Sequence, residues 1–481
     1  MSIQLFAQKN KKIQINNADK TYANVKIHPE YWKLIGNVSF SHNGTIMNCD
    51  SAYHYINENR IKSFGSIKIN QGDSILLIGR YLDYFGKNNT ASLKGNVKFQ
   101  DKHMTLETEQ INYNLLSKTA SYPNRGIIID NEKTIKSKKG SYQSSNYIFN
   151  FIDSVTVFGK DYKIFTDNMK YNSKNEISYF YGPSLIVSKD KKIYCENGWY
   201  NTKQDIAQFR KNAYISNKSN VLKGDSLYYD KRNSYGKAIG NVLVIDTLNN
   251  IFILGGLAEY YEQNDEVIIT KKPTLKIIFE SDTLFMHARK FINQNKINKK
   301  IIAYNKVKFF KLDLQGKCDS LSYNFKDSVI EMYKEPIIWS ENFQMTSDSI
   351  QFEISKNQIN KMYLINNPII VQHSDSTNFN QIKGKIITGY FSKNKISSMR
   401  IIGNGQSIFH VNDENNKIGV NYTESTDLTL YFKKNKLDKV NYELKPKSLT
   451  IPYENIKEEY LFLKGFNWRI SEKPKNKNDI Y

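Results

Sequence analysis

Short runs of alternating apolar and polar residues fill this chain, and polar turns separate them. Side chains of a strand point to opposite faces, so such alternation marks half-buried β-strands rather than helices. Val97–Phe99, Asp101–His103 and Met104–Leu106 read as strand, turn, strand. The same order occurs at Val155–Val157, Gly159–Asp161 and Tyr162–Phe165, and at Leu185–Val187, Lys189–Lys191 and Ile193–Cys195. A second polar turn follows at Asn57–Asn59, Lys87–Asn89, Ser173–Asn175 and Lys231–Asn233. The pattern predicts two long strands and two hairpin turns per unit, with antiparallel neighbours.

The unit repeats. Tyr55, Tyr84, Tyr113, Tyr142, Tyr171, Tyr200 and Tyr229 stand 29 residues apart, and Ile35, Phe64, Leu93, Tyr122, Phe151, Phe180, Phe209 and Ala238 keep the same step. Beyond Tyr229 the unit continues with insertions through Tyr261, Met286, Tyr323, Phe352, Phe391 and Phe432. A fixed period of this length is the mark of a stacked repeat architecture.

A small or short polar residue stands five before most column tyrosines, as at Gly79, Thr108, Ser137, Thr166, Cys195 and Gly224. Gly-Asn pairs recur on the partner strand at Gly36-Asn37, Gly95-Asn96 and Gly240-Asn241. Counting from the hairpin tip sets Gly95 opposite Thr108 and Gly36 opposite Cys49. Apolar parity also switches between Leu106 and Ile111, which implies a bulge or bend within the strand. Stacked bends make a crease, so the sheet folds lengthwise into a V with apolar inner faces. The predicted inner residues are Val97, Phe99, Met104, Leu106, Ile111, Tyr113, Phe151, Val155, Val157, Ile164, Met169 and Tyr171, with Thr156 facing water. The tyrosine column is either plain core packing or the lining of an open groove.

Composition fits this layout. Apolar residues make up 40% and aromatics 13%, which suits a sheet with one face in water. The formal charge of +22 meets no zinc-finger spacing, basic helix or aromatic RNA-binding signature, so nucleic acid is not an expected partner. A compositional bias towards Lys, Asn, Ile and Tyr, or an affinity for an anionic partner, accounts for it. Cys49, Cys195 and Cys318 are expected to be free thiols. No apolar run is long enough for a transmembrane helix. Met1–Gln8 reads as the tail of a signal peptide whose start lies upstream.

Enzymatic and metal readings fail on their spacing. Gly224–Leu227 spells the nucleophile block of a hydrolase family, but Ser226 holds the repeat position of Ala52, Gln110 and Asn168, and no histidine partner follows at hydrolase spacing. The histidines show no ligand spacing. Asp225, Asp282, Asp319 and Asp348 form a carboxylate column that is Ser51, Arg80 and Lys138 in other units, which points to a solvated outer face. No catalytic residue, metal or cofactor is expected.

The Gly-Asn-Val tripeptides at Gly36–Val38, Gly95–Val97 and Gly240–Val242, with the following hairpins and the strands Asp50–Tyr55 and Asp225–Tyr229, resemble the OstA-like family. That family holds the lipopolysaccharide-transport proteins of LptA type and the N-terminal domain of LptD. The resemblance implies an all-β, elongated antiparallel β-jellyroll, or β-taco, over residues 20–440. A lead-in over 1–19 and a C-terminal cap and polar tail over 441–481 flank it, with one short helix between Pro452 and Leu463. It also implies a periplasmic, outer-membrane-associated component that holds acyl chains of lipopolysaccharide or lipid A and stacks edge to edge with other transport proteins. Two rival readings are a filled β-solenoid adhesin or spacer, and a sugar-binding repeat with its tyrosines outside.

Overall fold

The computed structural model describes residues 12–481 apart from 25, 73–74, 103, 131–132, 280–281, 295–298, 356–357, 375–376, 393–394, 414–415 and 434–435. The run Met1–Gln8 and His103 therefore lie outside the described residues. Among these residues the regular structure is antiparallel strand, apart from 3-10 turns at Tyr453–Asn455, Glu458–Tyr460 and Ile470–Glu472. The repeat is thus an all-β stack of hairpins. It divides into two compact units, residues 1–218 with 226–232, and residues 219–225 with 233–481.

In the first unit one hairpin shows the plan. Strand Thr90–Gln100 pairs with Met104–Asn114 from Thr90 opposite Asn114 to Lys94 opposite Gln110, and resumes at Val97 opposite Thr108. Gly95 and Asn96 bulge out between, both with left-handed backbone at φ of 84° and 51°. Two such residues in succession bend a strand sharply. The same break follows Ile35, Phe64, Ile152 and Tyr181. The stacked bulges make the predicted crease, but the partners differ from the expected ones. Thr108 faces Val97 and Cys49 faces Val38, because each bulge absorbs two residues before pairing resumes.

Carboxylates are built into this crease, and one of them, Asp225, belongs to the predicted column. Asp50 accepts hydrogen bonds from the Ser66 amide at 2.8 Å and the Ser66 hydroxyl at 3.2 Å. A side chain on Gly65 would place its Cβ 2.0 Å from that carboxylate. Asp19 takes the Asn37 amide at 3.0 Å, and in the second unit Asp225 takes that of Asn241 at the same distance. The glycine leaves the notch and the acid fills it, which sharpens the reading of a merely solvated face.

Faces alternate as strand geometry requires. Val155 and Val157 are buried and Thr156 is partly exposed; Leu106 and Ile111 are both buried, on either side of the parity switch. Tyr55 departs from its column. It pairs with Arg60 on the outer face, its ring 5.5 Å from that of Tyr31, and His54 takes the buried position instead. The one extra residue in Asp50–Tyr55 causes this slip, since a shift of one reverses every side chain. All three cysteines are free and buried, and burial pushes the Cys195 and Cys318 thiols up to about 12.

The second unit repeats the crease after Ile239, Tyr304 and Ile402, and strand pairing continues to Lys447–Pro452. Its outer face differs. Trp339, Gln344, Val371, Gln381, Ile408 and Tyr422 lie opposite one another on successive strands, facing away from Ile338, Met345, Ile370 and Ile382. Residues 453–481 run across this row. Gln381 donates to the Leu461 carbonyl at 2.7 Å and accepts from the Leu463 amide at 2.8 Å. Gln344 does the same with Asn467 and Arg469, at 2.6 and 2.7 Å. Leu463 packs on Ile369, Val371, Ile408 and Val420. Glu472 pairs with Arg469 and Lys317, which hold its carboxyl down at about 2. Tyr481 ends the run on Thr274, hydroxyl to hydroxyl at 2.9 Å.

The C-terminal segment is therefore a strap across strands, and the short helix expected between Pro452 and Leu463 does not form. A helix would compete for the Leu461 carbonyl and Leu463 amide that Gln381 binds. Each glutamine behaves like a piece of neighbouring strand.

Candidate functional site

All twelve predicted inner residues face the trough of the first unit. Val97, Phe99, Met104, Leu106, Ile111, Tyr113, Phe151, Val155, Val157, Ile164, Met169 and Tyr171 are each buried to 5% exposure or less. The trough is not uniform along its length.

Through its first repeats the two arms are filled and latched. The Tyr142 ring stacks 4.1 Å from Phe149 and lies 6.0 Å from Phe99. At the mouth, the hydroxyls of column tyrosines reach the hairpin tips of the opposite arm. Tyr84 meets His42 Nδ1 at 2.5 Å, Tyr113 donates to Gln71 at 2.5 Å, Tyr142 to Asp101 at 2.5 Å and Tyr171 to Asp130 at 3.3 Å. Backbone and amide contacts join the same tips: Ile13 to Asn59 at 2.9 Å, Asn43 to Asn89 at 2.6 Å and Gln71 to the Leu115 carbonyl at 2.8 Å. Ala91 and Ala120 face Tyr113, giving the tall ring room to stand upright. Burial pushes the hydroxyls of Tyr84, Tyr113, Tyr142 and Tyr171 well above the usual phenol range, so they remain hydrogen-bond donors.

The tyrosine latch ends after Tyr171, and one further contact crosses the mouth, from the Lys133 ammonium to the Thr202 hydroxyl at 3.4 Å. The hydroxyl of Tyr200, next in the column, turns to Asp205 of its own turn at 3.3 Å. Along the opposite arm, Val157, Ile164, Ile186, Ile193 and Ile215 stand opposite one another on the inner face. Val157 and Ile164 are buried, whereas Ile186, Ile193 and Ile215 are partly exposed. Phe180, Cys195, Phe209 and Ala213 keep the floor near the crease closed. The open stretch is thus an apolar slot between strands Ile177–Ser188, Lys192–Asn201 and Ile206–Ser216.

The rim changes with it. The latched tips carry His42, Gln71, Asp101 and Asp130, while the open tips carry exposed Lys160, Lys189, Lys191 and Lys192 on one arm and Lys174, Lys203 and Arg232 on the other. Neither Ile193, Tyr200 nor Ile215 stood among the predicted site residues. Their signal was present in the lysine-rich turns that flank them, where the charge was open to either a compositional bias or an anionic partner. Ser226 of the hydrolase-like tetrapeptide accepts from Gln208 at 3.3 Å.

The family model of the OstA-like proteins matches residues 10–167 and 161–225. No curated protein matches the chain. Among solved structures, it is similar to LptH of Pseudomonas aeruginosa, described as the LptA-homologous periplasmic component of the lipopolysaccharide transport device. Identity is 11% and the TM-score 0.24, over 29% of this chain and 95% of that one. A likeness this distant adds nothing to the strand register above. The OstA-like match, over residues 10–225, spans the latched trough and the open slot alike.

Proposed function

We propose that this protein serves lipopolysaccharide transport in the periplasm, holding acyl chains of lipopolysaccharide or lipid A against the inner face of its trough. The OstA-like match supports the pathway. The observation that carries the binding role is the slot at Ile186, Ile193 and Ile215, where an apolar face lies partly open between two arms. Each methylene moved from water onto such a face contributes about 0.8 kcal/mol. On this reading the twelve inner residues are walls that acyl chains pass once the latch opens. Association with the outer membrane, and stacking on other transport proteins by strand edges, belong to the same proposal.

The filled-spacer reading keeps one specific support, the aromatic packing around Tyr142 that leaves that stretch occupied by protein. A photo-crosslinking residue placed at Ile193 in cells separates the two. Crosslinks to lipid identified by mass spectrometry are the expected result. Crosslinks to protein alone, with no lipid retained by the purified chain, would leave only the spacer.

A further inference from the structure

The open slot and the basic hollow beside it belong together. Lys174, Asn175, Asn201, Lys203, Gln204 and Arg232 line a hollow of about 540 Å³ over three successive turns of one arm. Arg232 donates to the Lys203 carbonyl at 2.6 Å, which fixes its guanidinium against that turn. Asn201, itself buried, donates to Gln204 at 3.0 Å. The nearest carboxylates are engaged elsewhere: Asp205 lies 3.9 Å from the Lys231 ammonium and accepts from Tyr200, and Glu176 takes the Thr202 hydroxyl at 3.1 Å. Lys174, Lys203 and Arg232 thus stand on the same turns as the two carboxylates Glu176 and Asp205, an excess of one positive charge there before Lys231 is counted. It sits on the turns that follow Tyr171, Tyr200 and strand Asn220–Asp230, at the edge of the slot.

We infer that this stretch is a lateral port, where a phosphorylated amphiphile seats its phosphate on Lys174, Lys203 and Arg232 and passes its acyl chains between Tyr200 and the row Ile186, Ile193 and Ile215. The inference rests on the acyl-binding reading above and adds where and by what headgroup chemistry the lipid is taken. Two features of the chain converge on one place. The tyrosine latch stops where lysine and arginine become denser in the turns of both arms. An arginine and two lysines supply donors that match phosphate oxygens. The lysines at 189, 191 and 192, around Asp190, line the opposite lip and add a diffuse attraction.

Binding of the full chain to two probes tests this: bisphosphorylated lipid A in detergent micelles, and the same lipid with both phosphates removed. The parent should bind the phosphorylated probe about tenfold more tightly, as a few partly exposed charge contacts allow. The triple variant Lys174→Glu, Lys203→Glu, Arg232→Glu should lose that preference yet still bind the dephosphorylated lipid. Its positions are exposed, and circular dichroism checks its fold. A control carrying Lys98→Glu and Lys136→Glu on the outer face should behave as the parent. If both probes bind the parent equally, or the preference survives in the triple variant, the port assignment falls while the trough reading stands. If neither probe binds, both fall together. Displacement of the phosphorylated probe by inorganic phosphate alone at equal concentration would make the hollow a free-phosphate site and overturn the lipid seat.

Discussion

From Ile13 to Tyr171 the arms of the first unit are tied at the mouth, and from Ile177 to Ser216 the same arms carry the same inner rows with a different rim. The backbone plan does not distinguish them: both have the bulge, the small crease residue and the column tyrosine. A few tip residues do. Where the tip offers Gln71 or Asp101, a tyrosine hydroxyl finds an acceptor across the gap. In the next repeat the Tyr200 hydroxyl takes Asp205 of its own turn instead. A repeat can thus keep one core pattern and still vary whether that core is sealed, by changing hairpin tips that contribute nothing to the crease.

The sharpest way to break this comparison is to place a charge in each stretch. Val157→Asp buries an unpaired carboxylate in a filled interior and should cost about 4 kcal/mol. Ile193→Asp stands in the partly open slot and should cost about 1 kcal/mol, since water reaches it. Chemical denaturation followed by circular dichroism gives both numbers. Equal losses would mean that the slot is as closed as the rest.

The outer faces offer a second contrast. In the first unit Lys98, Glu107, Ile127, Lys136 and Thr156 form a row without a cover of the strap's kind. In the second, Gln344, Val371 and Gln381 are buried beneath the strap. Gln381→Ala would strand the Leu461 carbonyl and Leu463 amide, a loss of about 2 kcal/mol. Limited proteolysis should then release the segment after Tyr453 sooner than in the parent. Unchanged cleavage would show that apolar packing alone holds it.

The latch itself is weaker. Tyr142→Phe removes the donor to Asp101 and should cost about 1.5 kcal/mol, against at most about 0.5 for Tyr200→Phe, whose bond closes only its own turn. Similar melting temperatures for the two variants would remove the distinction between tied and open repeats. Alkali offers the same test without mutation. The folded tyrosines and the Cys195 and Cys318 thiols are raised above their unfolded values. Stability from their burial is present below pH 9 and falls above it, because the unfolded chain ionises first. Cys195 should accordingly resist alkylation at pH 8 while the chain is folded.

Much of this fold was legible because the period of 29 carried two apolar columns and strands hide nothing of their alternation. Gly36-Asn37 and Gly95-Asn96 announced the crease, since two left-handed residues in succession favour that pair. The same bend at Asp153-Ser154 and Lys271-Lys272 was silent, because there the stacked neighbours impose the conformation on ordinary residues. The latch was invisible for another reason: Gln71 and Tyr113 are 42 residues apart, and no local rule links a tip to the opposite arm. The strap had left a trace. Ile337–Ser340 and Ile369–His373 are apolar at successive positions, which signals burial on both faces and therefore a cover over the outer one. Read as ordinary repeat strands, they hid the role of residues 453–481.

The smallest expected effect tests the assignment of faces on which all the others depend. Thr156 stands between Val155 and Val157 and faces outward, opposite Lys136 on one neighbouring strand and Phe165 on the other. An aspartate there is a poorer strand former than threonine, by a few tenths of a kcal/mol. Its carboxylate gains a cross-strand partner in Lys136, which returns a similar amount. Thr156→Asp should therefore shift stability by no more than about 0.5 kcal/mol and leave any bound lipid in place. Calorimetry alongside mass spectrometry of lipid extracted from the purified variant reads both quantities. A loss comparable to that of Val157→Asp would place Thr156 on the inner face and reverse the trough throughout the first unit, because one residue of slip exchanges every wall position for its neighbour.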